Sequence, residues 1–154
     1  MTSRAVVMWP DPVLRQVCAP VAVFGSALKD LADEMLQAMY DAAGRGLAAP
    51  QIGVLDRVFV VDVTWKEGVR APKIFVNPEI KSQSDQMSVN TEQCLSIPDT
   101  PRNVARPEQL ELTWQDLDGT LQQGSFEGFT AICIQHELDH LNGRVILDHP
   151  EAAL

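Results

Sequence analysis

Residues 127–143, EGFTAICIQHELDHLNG, carry the reading from which the rest of the chain follows. The spacing predicts a helix over roughly 127–141, closed by Asn142-Gly143 in the way helices commonly end on a left-handed residue. Within it, His136-Glu137-Leu138-Asp139-His140 is an H-E-x-x-H. Residues four apart on a helix share a face, with Cβ atoms ~5–6 Å apart. Both imidazoles can therefore converge on one metal ion at ~2.0–2.1 Å. Glu137 is offset by about a quarter-turn and flanks the metal instead of binding it, where a base for a metal-activated water belongs. A polar, solvated helix end is the alternative, but Phe129 to Ile134 are too apolar for one. Two of the chain's three histidines also take this spacing. By itself the motif selects a metal-dependent hydrolase, not a family.

Working outward, residues 57–63 (RVFVVDV) and 73–76 (KIFV) are β-branched or aromatic runs bounded by turn residues and read as strands. Residues 110–116 alternate apolar and polar, and Asp118-Gly119 supplies the turn into a further strand over 120–126. A first helix is predicted after Ser26 as N-cap, from apolar residues at Leu28, Leu31, Met35, Met39 and Ala42/Ala43, with Gly44 as its C-cap glycine. Pro10, Pro12 and Pro20 make residues 9–24 a loop-rich opening. The order helix, strands, helix gives an α+β fold and not a βαβ array. No repeat or linker divides the sequence, so residues 1–154 are expected to form one domain.

The net charge of -9, with no dense Lys/Arg cluster, argues against direct nucleic-acid or anionic-membrane binding. No stretch approaches the ~18 apolar residues of a membrane span. The N-terminus, MTSRAVVMWPDPVL, lacks the basic flank, apolar run and cleavage site of a signal peptide, so a cytoplasmic protein is expected. Cys18, Cys94 and Cys133 are too scattered for a disulfide framework and suit a reducing compartment.

A catalytic metal site needs a third protein ligand and an open position. His149 adjoins Pro150, which makes convergence awkward. Cys94 is the better candidate, lying in Glu92-Gln93-Cys94-Leu95-Ser96 ahead of the turn-forming Pro98. Cys133, three residues before His136, reads as an unliganded packing thiol, and Cys18 as another. In Gly44–Gly53, GRGLAAPQIG, small residues let a backbone or a peptide approach closely. Gln51 there is an amide with no evident structural task.

Together, GRGLAAPQIG, EQCLS and QHELDH resemble the three signature motifs of the peptide deformylases, in that family's order and at similar separations. The segment from Trp9 to Val21 is similar to the family's N-terminus, so the resemblance covers about residues 5–149. It implies a peptide deformylase-like α+β fold, with antiparallel strands around a central metal-binding helix. It places Cys94, His136 and His140 as ligands of one divalent metal ion, Fe²⁺ most often, with Zn²⁺, Ni²⁺ or Co²⁺ tolerated. It makes Glu137 the catalytic acid/base, and Gln51 with the Leu95 N–H the groups that bind the developing oxyanion. Gly46 falls beside the bound peptide. The implied reaction removes the formyl group from N-formylmethionine at the start of nascent bacterial proteins. In it, hydroxide from an acidified water attacks the formyl carbon while Glu137 carries the proton to the leaving amine.

Several positions depart from the family pattern. Gln93 replaces the glycine of the second motif, and Arg45 stands between the first motif's glycines, where Ile or Val is usual. Asn90 and Phe129 align with apolar residues around the methionine pocket. Arg45, Gln93 and Phe129 are thus expected along the path of the substrate. Glu92 and Arg102 match family positions; an ion pair supporting the ligand loop is one reading, and a solvated charge is the alternative for each. The chain stops at HPEAAL, without the basic C-terminal helix that docks some deformylases on the ribosome, which argues against that route. Polar walls at Arg45 and Asn90 keep open a related hydrolase acting on another N-formyl or N-acyl substrate. A non-catalytic metal- or peptide-binding relative would not need both Glu137 and Gln51. A generic zinc peptidase would have neither the cysteine ligand nor the first motif.

Overall fold

Val58–Val61 are buried at all four positions. Side chains alternate across a strand, and here Phe59 and Val61 enter one apolar cluster while Val58 and Val60 enter another. A strand covered on both faces has no polar side to show, which is why this stretch reads as an unbroken apolar run.

The computed structural model describes residues 5–154. The first four residues of the amino-terminal stretch read above for a leader lie outside it. The elements are α1 (Ser26–Asp41), β1 (Gly46–Ala48), β2 (Val58–Val61), β3 (Lys73–Gln83), β4 (Met87–Cys94), β5 (Ile97–Pro107), β6 (Gln109–Gln115), β7 (Leu121–Glu127) and α2 (Gly128–Leu141). One sheet runs β1-β2-β3-β6-β7 and a separate hairpin pairs β4 with β5, all antiparallel. α1 lays Leu28, Met35 and Met39 in the cluster with Val58 and Val60. α2 lays Ala131, Ile134, Leu138 and Leu141 in the one with Phe59, Phe75 and Leu112. α2 is buried on nearly every side, with apolar residues in its first half and the buried polar Gln135, His136, Glu137 and His140 in its second. The α+β architecture, with antiparallel strands around a central helix, is the one expected. No helix among the described residues is long and apolar enough to cross a membrane.

The strands expected from the β-branched and alternating runs are present, with β3 continuing to Gln83. The hairpin β4–β5 was not foreseen. The turn lies at Leu95-Ser96, and Pro98 and Pro101 sit inside β5 instead of forming a turn. β5 has a neighbour on one side only, so a missing N–H on the other side costs no ladder bond.

The helix ends also differ from expectation in one case. α2 closes on Gly143 at φ 75°, with Arg144 N–H donating to Asp139 C=O at 2.9 Å, as anticipated. For α1, Gly25 is the N-cap and Ser26 the first helical residue. At its other end Ala43, not Gly44, takes the left-handed conformation, at φ 57°. Gly44 packs closely instead: a Cβ there would lie 2.6 Å from Leu95 Cδ1, so the Leu95 side chain would have to shift. The end of α1 is thus seated on the turn that follows Cys94.

The N-terminal segment ties the three motif regions together. Val7 N–H donates to Gln51 C=O at 2.7 Å, Trp9 N–H to Ser96 C=O at 2.9 Å and Cys18 N–H to Leu141 C=O at 2.9 Å. Among its described residues, the one regular element is a short 3₁₀ helix, Pro12–Arg15.

Candidate metal centre

The i, i+4 spacing on α2 brings the His136 and His140 rings together, with centroids 5.1 Å apart. The end of β4 brings Cys94 to them, its Sγ 3.4 Å from His140 Nε2. One ligand atom from each of the three residues lies within 4.8 Å of the others, and all three residues are buried. His136 Nδ1 is 2.9 Å from Glu92 Oε1, which leaves Nε2 to face the cluster. A thiol and two imidazoles at this spacing suit either Fe²⁺ or Zn²⁺.

Burial sets the proton affinities of the imidazoles and their neighbours. It pushes His140 well below the ordinary histidine value, helped by nearby His136, so this ring is neutral and ready to bind a cation. Burial acts the same way on His136, but Glu137, Cys94 and Glu92 outweigh it and hold that ring well above its usual value. A cation binding there must displace a proton. Burial also raises the Glu137 carboxyl, to about 7; His136 opposes the rise, and Glu92 adds to it. Glu137 Oε1 is buried with no hydrogen-bond partner. On its other side, a Cβ at Gly46 would lie 2.5 Å from Glu137 Oε2, so only glycine leaves the carboxylate its place.

Gln51 is 1% exposed and its amide is oriented at both ends. Oε1 accepts from Ala48 N–H at 3.0 Å, which turns Nε2 towards Ser96 Oγ at 3.0 Å and Cys94 Sγ at 3.8 Å. Leu95 occupies the turn directly after Cys94, so the three motifs meet at one place.

Glu92 has a partner other than the one expected. Arg102 stands opposite Glu92 in the β4–β5 ladder, yet its guanidinium donates to His149 C=O at 2.8 Å and lies 3.3 Å from Glu151. The ion pair is made by Arg106, whose Nε and Nη2 hold the two Glu92 oxygens at 2.6 and 2.9 Å. Arg106 runs beneath α2, where Glu92 and Asp139 both point; Arg102 lies at the outer side, against the last residues of the chain. Burial alone would raise the Glu92 carboxyl, but hydrogen bonds from His136 and Arg106 bring it down to about 2. Arg106 carried no sequence signal, because the register that brings it inward belongs to the hairpin.

The departures from the family pattern fall around this centre. Arg45, half-buried, sets its guanidinium 5.6 Å from the centre of the exposed Phe129 ring and 3.3 Å from Glu67. Gln93 is exposed, and Asn90 donates to Ser88 Oγ at 3.0 Å. Cys133 lies outside the ligand cluster, packed against the core; burial and the Glu137 charge push its thiol up to about 12. Cys18 is a buried core residue, as read from the sequence.

An H-E-x-x-H helix closed by a cysteine from a separate hairpin, within an α+β fold, defines a metallohydrolase. The sequence profile of the polypeptide deformylases matches residues 3–153, and the chain belongs to that family. It is 46% identical over 149 residues to a peptide deformylase of Mesorhizobium japonicum, covering 97% of this chain and 85% of the relative. To that of Rhizobium meliloti it is likewise 46% identical, covering 97% and 86%. Among solved structures, the Thermotoga maritima peptide deformylase superposes with a TM-score of 0.93 at 36% identity, covering 99% of this chain and all of that one.

Proposed function

We propose that the protein removes the formyl group from the N-terminal formylmethionine of nascent peptides in the cytoplasm, with one divalent cation held by Cys94, His136 and His140. Fe²⁺ is the preferred ion, with Zn²⁺, Ni²⁺ or Co²⁺ as substitutes. The observation that carries this reading is the seat of Glu137. Its carboxylate follows directly on a ligand in sequence and touches Gly46, on the outermost strand of the sheet. When bound, the cation supplies an acidified water and polarises the formyl carbonyl.

The chain's own groups do the rest. An extended peptide lies along β1, using backbone hydrogen bonds of the kind an edge strand offers, and Gly46 leaves room for it beside Glu137. With its carboxyl near 7, Glu137 takes the proton of the attacking water and returns it to the leaving amine. Gln51, held by Ala48, presents Nε2 to the oxygen on which charge grows, and the Leu95 N–H is its second donor.

A second reading has specific support. The Arg45–Phe129 contact and the polar Asn90 stand where the resemblance expects apolar walls, which favours a different N-formyl or N-acyl substrate. Turnover by anaerobically Fe²⁺-loaded protein separates the two. High activity on formyl-Met peptides is expected. Activity confined to other formyl- or acetyl-peptides selects the second reading, and none with metal bound leaves a binding protein.

A further inference from the structure

His149 is the histidine that the ligand cluster leaves unused. Its Nε2 lies 2.7 Å from Asp139 Oδ2, and the same oxygen accepts from Arg106 Nη1 at 2.9 Å. The opposite edge of that guanidinium holds both Glu92 oxygens, and Glu92 Oε1 meets His136 Nδ1. An unbroken hydrogen-bonded chain therefore runs His149–Asp139–Arg106–Glu92–His136. It begins in a cleft of about 390 Å³ that His149 and Asp139 help to line, and ends on a ligand. The Arg106 and Glu92 side chains are 4% and 5% exposed, those of Asp139 and His149 17% each.

Each link constrains the next. A guanidinium is a rigid planar fork, so fixing one edge on Asp139 sets where the other edge aims. A carboxylate on the second nitrogen of a ligand histidine sets its tautomer and ring orientation. Arginine does not give up its proton, so the chain transmits position and charge, not a proton. His149 and Arg106 share one Asp139 oxygen, and this fixes the rotamer on which the fork depends. The backbone of this segment is held separately, by Arg102 on His149 C=O and by Ala152 N–H on Asn103 C=O at 2.9 Å.

The geometry points to His149 as a positioning residue: it anchors the outer end of the chain that orients His136 towards the metal. This rests on the metal site proposed above and not on the identity of the substrate. The test is the affinity of the full-length metal-free protein for Zn²⁺ and Co²⁺, by chelator competition, together with the visible spectrum of the Co²⁺ form. His149→Gln places an amide nitrogen near the Nε2 position, whereas His149→Asn is too short to reach Asp139. H149A and H149N should bind either ion about three- to ten-fold more weakly, less than the ~10–100-fold typical of partners bonded directly to a ligand. Their Co²⁺ bands should shift, while H149Q stays within about two-fold of wild type and keeps the wild-type spectrum. Unchanged affinity in H149N, or equal losses in H149N and H149Q, overturns the inference; the two polar variants decide it even if H149A does not fold. Wild-type protein that binds metal without deformylating leaves this measurement intact and removes only the substrate reading.

Discussion

His136 and His140 reach the candidate metal centre from one helix whose period sets their spacing, whereas Cys94 reaches it from the end of β4, beside a hairpin turn positioned by distant contacts. That turn is seated on Gly44, tied by Trp9 to Ser96, and braced by Arg106 through Glu92. α2 carries the proposed catalytic groups on a rigid ruler; β4–β5 carries the proposed third ligand and needs the rest of the fold to aim it. Substitutions of reacting groups should therefore spare the structure, and substitutions of the hairpin's braces should not.

Four measurements sharpen or break this contrast. Glu137→Ala should lower kcat by ~10²–10⁴-fold while metal content stays at that of wild type; retained turnover removes Glu137 from the reaction. Arg106→Leu leaves Glu92 buried without its fork and should cost about 3–5 kcal/mol in urea unfolding of the metal-free protein. Arg102→Ala, at a half-exposed position, should cost ~0–1 kcal/mol. Equal losses in the two would restore Arg102 as the brace. Gln51→Ala should lose ~2.7–4 kcal/mol of transition-state stabilisation, seen in kcat with little change in KM; an unchanged kcat would exclude its amide.

A further test is a pH dependence. Folding raises the Glu137 carboxyl from 4.5 to about 7, so the fold is favoured while that carboxyl is protonated. The advantage is complete below pH ~4.5 and is lost as pH rises through ~7. Metal-free Glu137→Gln should match wild type at the acid end and exceed it above pH 7, by about 3 kcal/mol. Parallel stability curves for the two proteins would show that Glu137 is not desolvated.

These contrasts follow how far each feature was legible beforehand. The H-E-x-x-H helix, the strand β2 and the closing Gly143 rest on signals within a few residues, and the structure has them as expected; that β2 is covered on both faces came from the structure. β4–β5 was missed because three prolines and a run of polar residues disguise it. Its alternation serves a two-stranded sheet in which only some positions, Glu92 and Arg106 among them, turn inward. Arg102 and Arg106 lie four residues apart on β5, and nothing local says which one lies beneath α2. Gly44 was read as a cap because glycine usually is one. Here its close contact is the Leu95 side chain, far along the chain.

Returning to EGFTAICIQHELDHLNG, the sequence by itself determined the donor types, their one-turn spacing and the carboxylate between them. Helical geometry follows from hydrogen bonds four residues apart and needs no other part of the chain. Only the tertiary structure decided that a thiol 46 residues away joins His140, that Arg106 braces Glu92, and that His149 ends a chain leading back to His136. Those choices depend on how a sheet and a hairpin pack around one buried helix, where burial makes every polar group answer to a partner it meets only in the folded state.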